Sequence, residues 1–311
     1  MDARKQFTDF IHQLQNTICV AVEELDGKAV FREDKWDRPE GGGGRTRIIQ
    51  EGAVFEKGGV NISMVHGELS AALQKQLQVT EKVFFACGLS LVLHPLNPMV
   101  PTVHANFRFF ELYDQNGKAV DRWFGGGADL TPYYLWPEDA VHFHQVLKQT
   151  SDPYGVHLYP QFKEACDRYF YNHHRQEARG IGGLFYDYLR DKKLGLSIDQ
   201  WQQYVQAMGA AFLDGYLPIA RRRKGEAFGT AEKKWQEIRR GRYVEFNLIH
   251  DKGTLFGLKS NGRIESILMS LPATVRWEYD HHPSVGSREA ELLDHLQPKD
   301  WANLFSSSST S

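Results

Sequence analysis

The chain has 311 residues, 41% of them hydrophobic, and 37 Lys+Arg set against 39 Asp+Glu give a net charge of −2. A chain this long can bury roughly 75% of its unfolded surface without staples, and its even charge argues against disorder and against tail-driven nucleic-acid binding. Cys19, Cys87 and Cys166 stand far apart with no C-x-x-C spacing, which fits reduced thiols in a cytoplasmic protein and excludes zinc ribbons and the usual iron–sulfur clusters.

No repeat or long linker divides the sequence, so one domain is expected over 1–303, with a disordered Ser-rich tail at 304–311. The opening MDARKQFTDF carries neither a secretory core nor a presequence pattern. Phe7, Phe10, Ile11, Leu14 and Ile18 recur at helical spacing and predict a first helix over 3–25. GGGG at 41–44 predicts a mobile loop, and 46–65 reads as short strands broken by glycine. Strands are expected at 83–93 and 102–113; the first, VFFACGLSLVL, is too short to span a membrane. A turn follows at Asp114, Asn116 and Gly117. Helices are expected at 138–149 and 160–178, entered by Pro137 and Pro160, and again at 198–216. Residues 243–249, 254–259 and 264–270 read as strands, the last two joined in a hairpin across Asn261-Gly262. Strands in hairpin-linked clusters, with helices grouped between them, predict an α+β fold built on a mostly antiparallel sheet.

Within 102–113, period two places His104, Asn106 and Arg108 on one face and Val103, Ala105, Phe107 and Phe109 on the other. In SLVLHP the same parity aligns Ser90, Val92 and His94. A merely solvated face would carry Lys, Glu and Thr; His, Asn and Arg bind carboxylates and move protons. WFGGGADLTPYY delivers Asp129 behind three glycines, a place for close backbone approach or for a simple bend. GIGG at 180–183 lacks the strand and spacing of a dinucleotide site and reads as glycines that end a helix. His142 and His144 lie about 200° apart on a helix, so only one can face a common site. Of the doublet His173–His174, the helical stripe buries the first and leaves the second freer. The segment 221–242 is strongly basic; it suits a solvated helix face or a small polycarboxylate better than a nucleic acid.

Six stretches, taken in order, resemble the oxygen-dependent coproporphyrinogen III oxidases: GGGGRTR, FEKGGVNISMVHG, HPLNPMVPTVHANFRFFE, WFGGGADLTPYY, HRQEARGIGGLFYDYL and YVEFNLIHDKGTLFGLKSNGRIESILMSLPATVRWEY. The resemblance implies oxidative decarboxylation of two propionates of coproporphyrinogen III to vinyls, giving protoporphyrinogen IX for haem synthesis. It implies dioxygen as oxidant, no organic cofactor, and a divalent metal, Mn2+ foremost. It further implies a large flat antiparallel sheet sandwiched between helices, and a homodimer in contact largely through 243–278. Carried over by position, Ser90, Asn106, Phe107, Arg108, Asn261, Gly262 and Arg263 contact substrate, and His104 is the proton donor. Asp129 and Arg108 join it in the chemistry, Asp129 as acceptor for the inward pyrrole N–H groups. His94, His104, His144 and His174 become the metal ligands, although the doublet at 173–174 departs from the family's single histidine. A non-haem metal oxygenase and a non-catalytic tetrapyrrole carrier are the alternatives. No nucleic-acid partner and no membrane span are expected.

Overall fold

The computed structural model describes residues 3–304 except 40, 70, 72, 73, 76–78, 82, 260 and 261. Seven strands form one sheet, and every neighbouring pair is antiparallel. They are β1 (Arg32–Asp37), β2 (Gly42–Gln50), β3 (Phe55–Glu68), β4 (Val83–Pro95), β5 (Thr102–Tyr113), β6 (Ala119–Thr131) and β9 (Gly182–Leu189). A small ribbon pairs β7 (Tyr171–Asn172) with β8 (Glu177–Ala178). The expected antiparallel α+β architecture is present.

One face of the sheet is closed and apolar. Val60, Ile62, Leu89, Leu91, Val103, Ala105 and Phe107 on this face are 0–1% exposed. Against it pack α1 (Ala3–Asp26) through Phe7, Ile11 and Ile18, and α4 (Ile198–Arg223) through Trp201, Val205 and Phe212. Helix α2 (Pro137–Ser151) lies on α4, and α3 (Leu158–Tyr169) on β9. α4 starts with a full capping box, Ser197 and Gln200 satisfying each other's backbone N–H. Against the opposite face lie α5 (Thr230–Ile249), whose Tyr243 meets His94, and α7 (Ile264–Leu268), whose Ser266 meets Thr46 and Asn61; α6 (Lys252–Lys259) joins them, and α8 (Arg288–Asp294) lies near the C-terminus.

Five local expectations are corrected. GGGG does not form a loop: Gly42, Gly43 and Gly44 belong to β2, opposite Val65, Met64 and Ser63. A Cβ at Gly42 would stand 2.1 Å from the Met64 carbonyl oxygen, so these glycines serve close strand approach. The region 46–65 is two long strands around a turn, which the Asp26 carboxylate fastens by accepting the Ala53, Val54 and Phe55 N–H groups. The helix expected over 160–178 stops at Tyr169, and the GIGG glycines open β9 rather than end a helix. The three strands expected over 243–270 are helical, so the hairpin does not exist; Ser260 and Asn261 lie outside the described residues. Apolar residues on both sides of a short run mark two-sided burial, and periodicity alone cannot separate such a strand from a packed helix. Residues 305–311 of the tail also lie outside the described residues.

Candidate active site on the polar face of the sheet

The register aligns the polar face into rows. Thr46, Asn61, Ser90, Asn106 and Gly127 are direct neighbours across five strands. The next row toward the end of β4 holds Gly59, Val92, His104, Asp129 and Gly183; the row on the other side holds Gly44, Ser63, Gly88, Arg108 and Gly125. Ser90, Asn106, Arg108 and His104 therefore share one surface, as the alternation of β5 predicts. Six glycines lie between them and make much of this surface backbone, with Met269 packed over Gly59 and Trp36 over Gly44. Gly127 has φ +150°, and a Cβ there would sit 2.0 Å from the Leu184 carbonyl oxygen.

The surroundings are charged and aromatic. The Arg108 guanidinium crosses Gly125 to Asp187, at 2.9 Å, and donates to Asn106 Oδ1. Arg263, at the start of α7, pairs with Asp34 at 2.6 Å and keeps its buried Nη1 without a partner. α7 is stitched to the seam by Asn61 Nδ2 donating to the Ser266 carbonyl and by Ser266 Oγ against Thr46 Oγ1. Phe185 stacks on Tyr169 with ring centres 4.1 Å apart, and Phe170 meets His104 edge-on.

Behind His104 lies a buried relay. His104 Nδ1 stands 2.8 Å from Asp129 Oδ1, and Arg179 Nη2 donates to both Asp129 oxygens at 2.8 and 2.7 Å. Arg179 also donates to Asn247 and is enclosed by the rings of Phe170, Tyr243 and Phe246. Burial works against the Asp129 charge, but Arg179 and His104 outweigh it and hold its pKa below the ordinary carboxylate value. Burial likewise opposes the Arg179 charge, and Asp129 reverses the balance to hold its pKa above the usual value. An ionised Asp129 can only accept, so His104 carries its proton on Nδ1 and, when neutral, presents a bare Nε2 lone pair.

Two of the expected site residues are enclosed. Asp129 is 2% exposed, with both oxygens engaged by His104 and Arg179. The Phe107 side chain points into the closed core and is 1% exposed, leaving only its backbone near the site. Gly262 is half-buried beside Arg263 and donates its N–H to the Gly257 carbonyl; Asn261 is outside the described residues.

The four histidines assigned to a metal are not brought together. His94 is fully buried under α5, its nitrogens at Thr102 Oγ1 and the Ser270 carbonyl. Burial, then the nearby Arg240 charge, pushes its pKa well below the ordinary value. His144 is buried between Tyr159 and the Ile181 carbonyl, and burial takes its pKa to about 3. His174 lies in the exposed ribbon turn against His250 and Glu245. Only His104 faces the polar seam. Among the described residues no group of three or more His, Cys, Asp or Glu side chains is placed to hold a metal ion.

Arg179 and Asn61 were not among the expected site residues. Arg179 sits between β8 and β9, fifty residues from its carboxylate, and only the β6–β9 register joins them. Asn61 could have been found from its parity, since Val60 and Ile62 on either side are core residues.

A glycine floor, two arginines reachable by carboxylates and one oriented imidazole suit an enzyme acting on a flat polycarboxylate with a proton moved at one point. Residues 6–301 match the family model described as coproporphyrinogen III oxidase, and the chain belongs to that family. It is an oxidoreductase of haem biosynthesis that converts two propionates of coproporphyrinogen III to vinyl groups.

Proposed function

We propose that coproporphyrinogen III lies across the seam Asn61–Ser90–Asn106, with Arg108 and Arg263 holding propionates and His104 at the reacting side chain. The observation that carries this is the single surface shared by Arg108 and His104, four residues and about 13 Å apart along β5. A tetrapyrrole with its side chains spans that scale. Bidentate arginines fit carboxylates, but they also stabilise the carboxylate form and so oppose loss of CO2. The reacting propionate therefore belongs at His104, and the idle ones at the arginines.

Each propionate, R–CH2–CH2–COO⁻, gives R–CH=CH2, CO2, one proton and two electrons. Dioxygen takes the two electrons, that proton and a second one from water to the level of hydrogen peroxide, and no organic cofactor enters the balance. Neutral His104 accepts the proton at Nε2 while the buried Asp129 carboxylate stabilises the imidazolium; charged His104 can return it to the reduced oxygen. His104→Ala should lower turnover roughly 10²–10⁴-fold with substrate affinity little changed, since the arginines remain. The test is purified protein under air and under nitrogen, following CO2 and the fluorescence of oxidised product. Turnover without oxygen, or near-normal turnover in His104→Ala, would defeat the proposal.

A homodimer joined through 243–278 is part of the same reading. Leu248, Ile249, Leu258 and Ile264 in that segment are 40–58% exposed, an apolar surface of the kind partners cover. Sedimentation should give a dimer that Leu248→Glu/Ile249→Glu dissociates; a wild-type monomer at all concentrations would refute it. The location proposed is the cytoplasm, in keeping with three unpaired cysteines. Among the described residues no helix is long and apolar enough to cross a membrane.

A further inference from the structure

We propose that Asn61 is a substrate-orienting residue whose side-chain oxygen accepts a pyrrole N–H of the macrocycle. This rests on the reading that the substrate lies on the polar face.

Coproporphyrinogen carries four N–H donors at its centre, and a site that orients it needs an acceptor where that centre lies. The other carboxylate and amide acceptors nearest the seam are already taken. Both oxygens of Asp129 are engaged by His104 and Arg179. Asn106 Oδ1 accepts from Arg108, and Asp187 and Asp34 pair with the two arginines. Among the described residues Asn61 Oδ1 has no hydrogen-bond partner, and it is shut off from water. A buried carbonyl oxygen left unmatched is costly and uncommon, and it calls for a partner that the resting protein lacks.

The orientation of this amide is settled by its other end. Nδ2 donates to the Ser266 carbonyl at 2.9 Å. Flipping the group would set two oxygens against each other there, so the free atom is the acceptor and not the donor. Asn61 is directly opposite Ser90, which is directly opposite Asn106, in the row midway between the rows of Arg108 and His104. A macrocycle held at its rim by those two residues sets its centre over this row.

The experiment compares two ligands that share propionates and differ in N–H groups. Coproporphyrinogen III has four; zinc coproporphyrin III has none, because its nitrogens hold the metal. KM is measured for the first and competitive inhibition for the second, on the full-length enzyme and on Asn61→Ala, Asn61→Asp and Arg108→Ala. Asn61→Ala should raise KM about tenfold, the equivalent of one hydrogen bond, while zinc coproporphyrin inhibits within twofold of wild type. Asn61→Asp keeps an acceptor oxygen but loses the donor to Ser266, and should recover most of the KM. If Asn61 merely anchors α7, both variants will weaken both ligands alike, and the proposal fails. It fails too if Arg108→Ala weakens both ligands while Asn61→Ala changes neither. If Arg108→Ala also leaves both untouched, the placement of substrate on this face is what has failed.

Discussion

Arg179→Met isolates the buried relay behind His104. Arg179 and Asp129 are each 2% exposed, and the arginine supplies two of the three hydrogen bonds to the carboxylate. Removing one member of such a pair leaves a stranded charge, which costs about 3–5 kcal/mol, whereas removing both charges is often nearly neutral. With a urea slope of roughly 3 kcal/mol/M, the unfolding midpoint of Arg179→Met should fall by more than about 1 M. Arg179→Met/Asp129→Asn should recover most of that loss. The pH dependence supplies a second readout. A depressed carboxylate pKa means that its stabilisation is full above the unfolded value near 4 and is lost as pH falls through the folded one. In Arg179→Met burial is no longer outweighed, so the folded pKa of Asp129 rises above the unfolded value; the native state then takes up the extra proton, and the variant regains stability relative to wild type as pH falls through that raised pKa. Urea unfolding followed by tryptophan fluorescence between pH 4 and 8 measures both. A single-variant loss below about 1 kcal/mol, or a double variant no more stable than the single one, would refute the view that Arg179 compensates Asp129.

Asp129→Asn should lower turnover by roughly 10²–10⁴-fold with KM little changed, because His104 loses its orienting acceptor; a KM effect alone would place Asp129 against the substrate. His144 has its pKa depressed to about 3, so the unfolded state binds the extra proton below pH 6.5 and stability falls with pH from there. The loss from pH 7 to pH 5 is about 2 kcal/mol for this one group, and His144→Gln should flatten that limb by a similar amount; an unchanged slope would show that the imidazole is not held neutral. Asp187→Asn frees Arg108, so KM for coproporphyrinogen should fall a few-fold, and a rise would show that Asp187 holds Arg108 in its working position.

Part of this was readable from residues alone. Strand 102–113 was plain because one of its faces is unbroken apolar core, Val103 to Phe109, and that alternation delivered His104, Asn106 and Arg108 together. The same rule misled at 254–270, where Ile264–Leu268 is a short helix with no buried residue and apolar residues on both sides carry no strand period. Glycines were ambiguous in the same way. Gly42–Gly44 and Gly183 looked like breaks but allow tight strand pairing; a Cβ at Gly183 would lie 2.0 Å from the Ala128 carbonyl oxygen. Arg179 was invisible, since nothing local says that its partner is Asp129. The dispersal of His94, His144 and His174 was equally beyond reach, because residue type carries no information on which element turns each ring away from the others.

The two aspartates beside the arginines bear on how a catalytic cycle can end. With Asp187 on Arg108 and Asp34 on Arg263, the empty site has its cations already neutralised, and an arriving propionate exchanges one carboxylate for another. Such an exchange is nearly balanced, so affinity has to come from the macrocycle against the backbone floor. The same balance serves release. The idle propionates survive the reaction, but a tethered aspartate is always at hand for each guanidinium, so the resting ion pairs re-form as product departs.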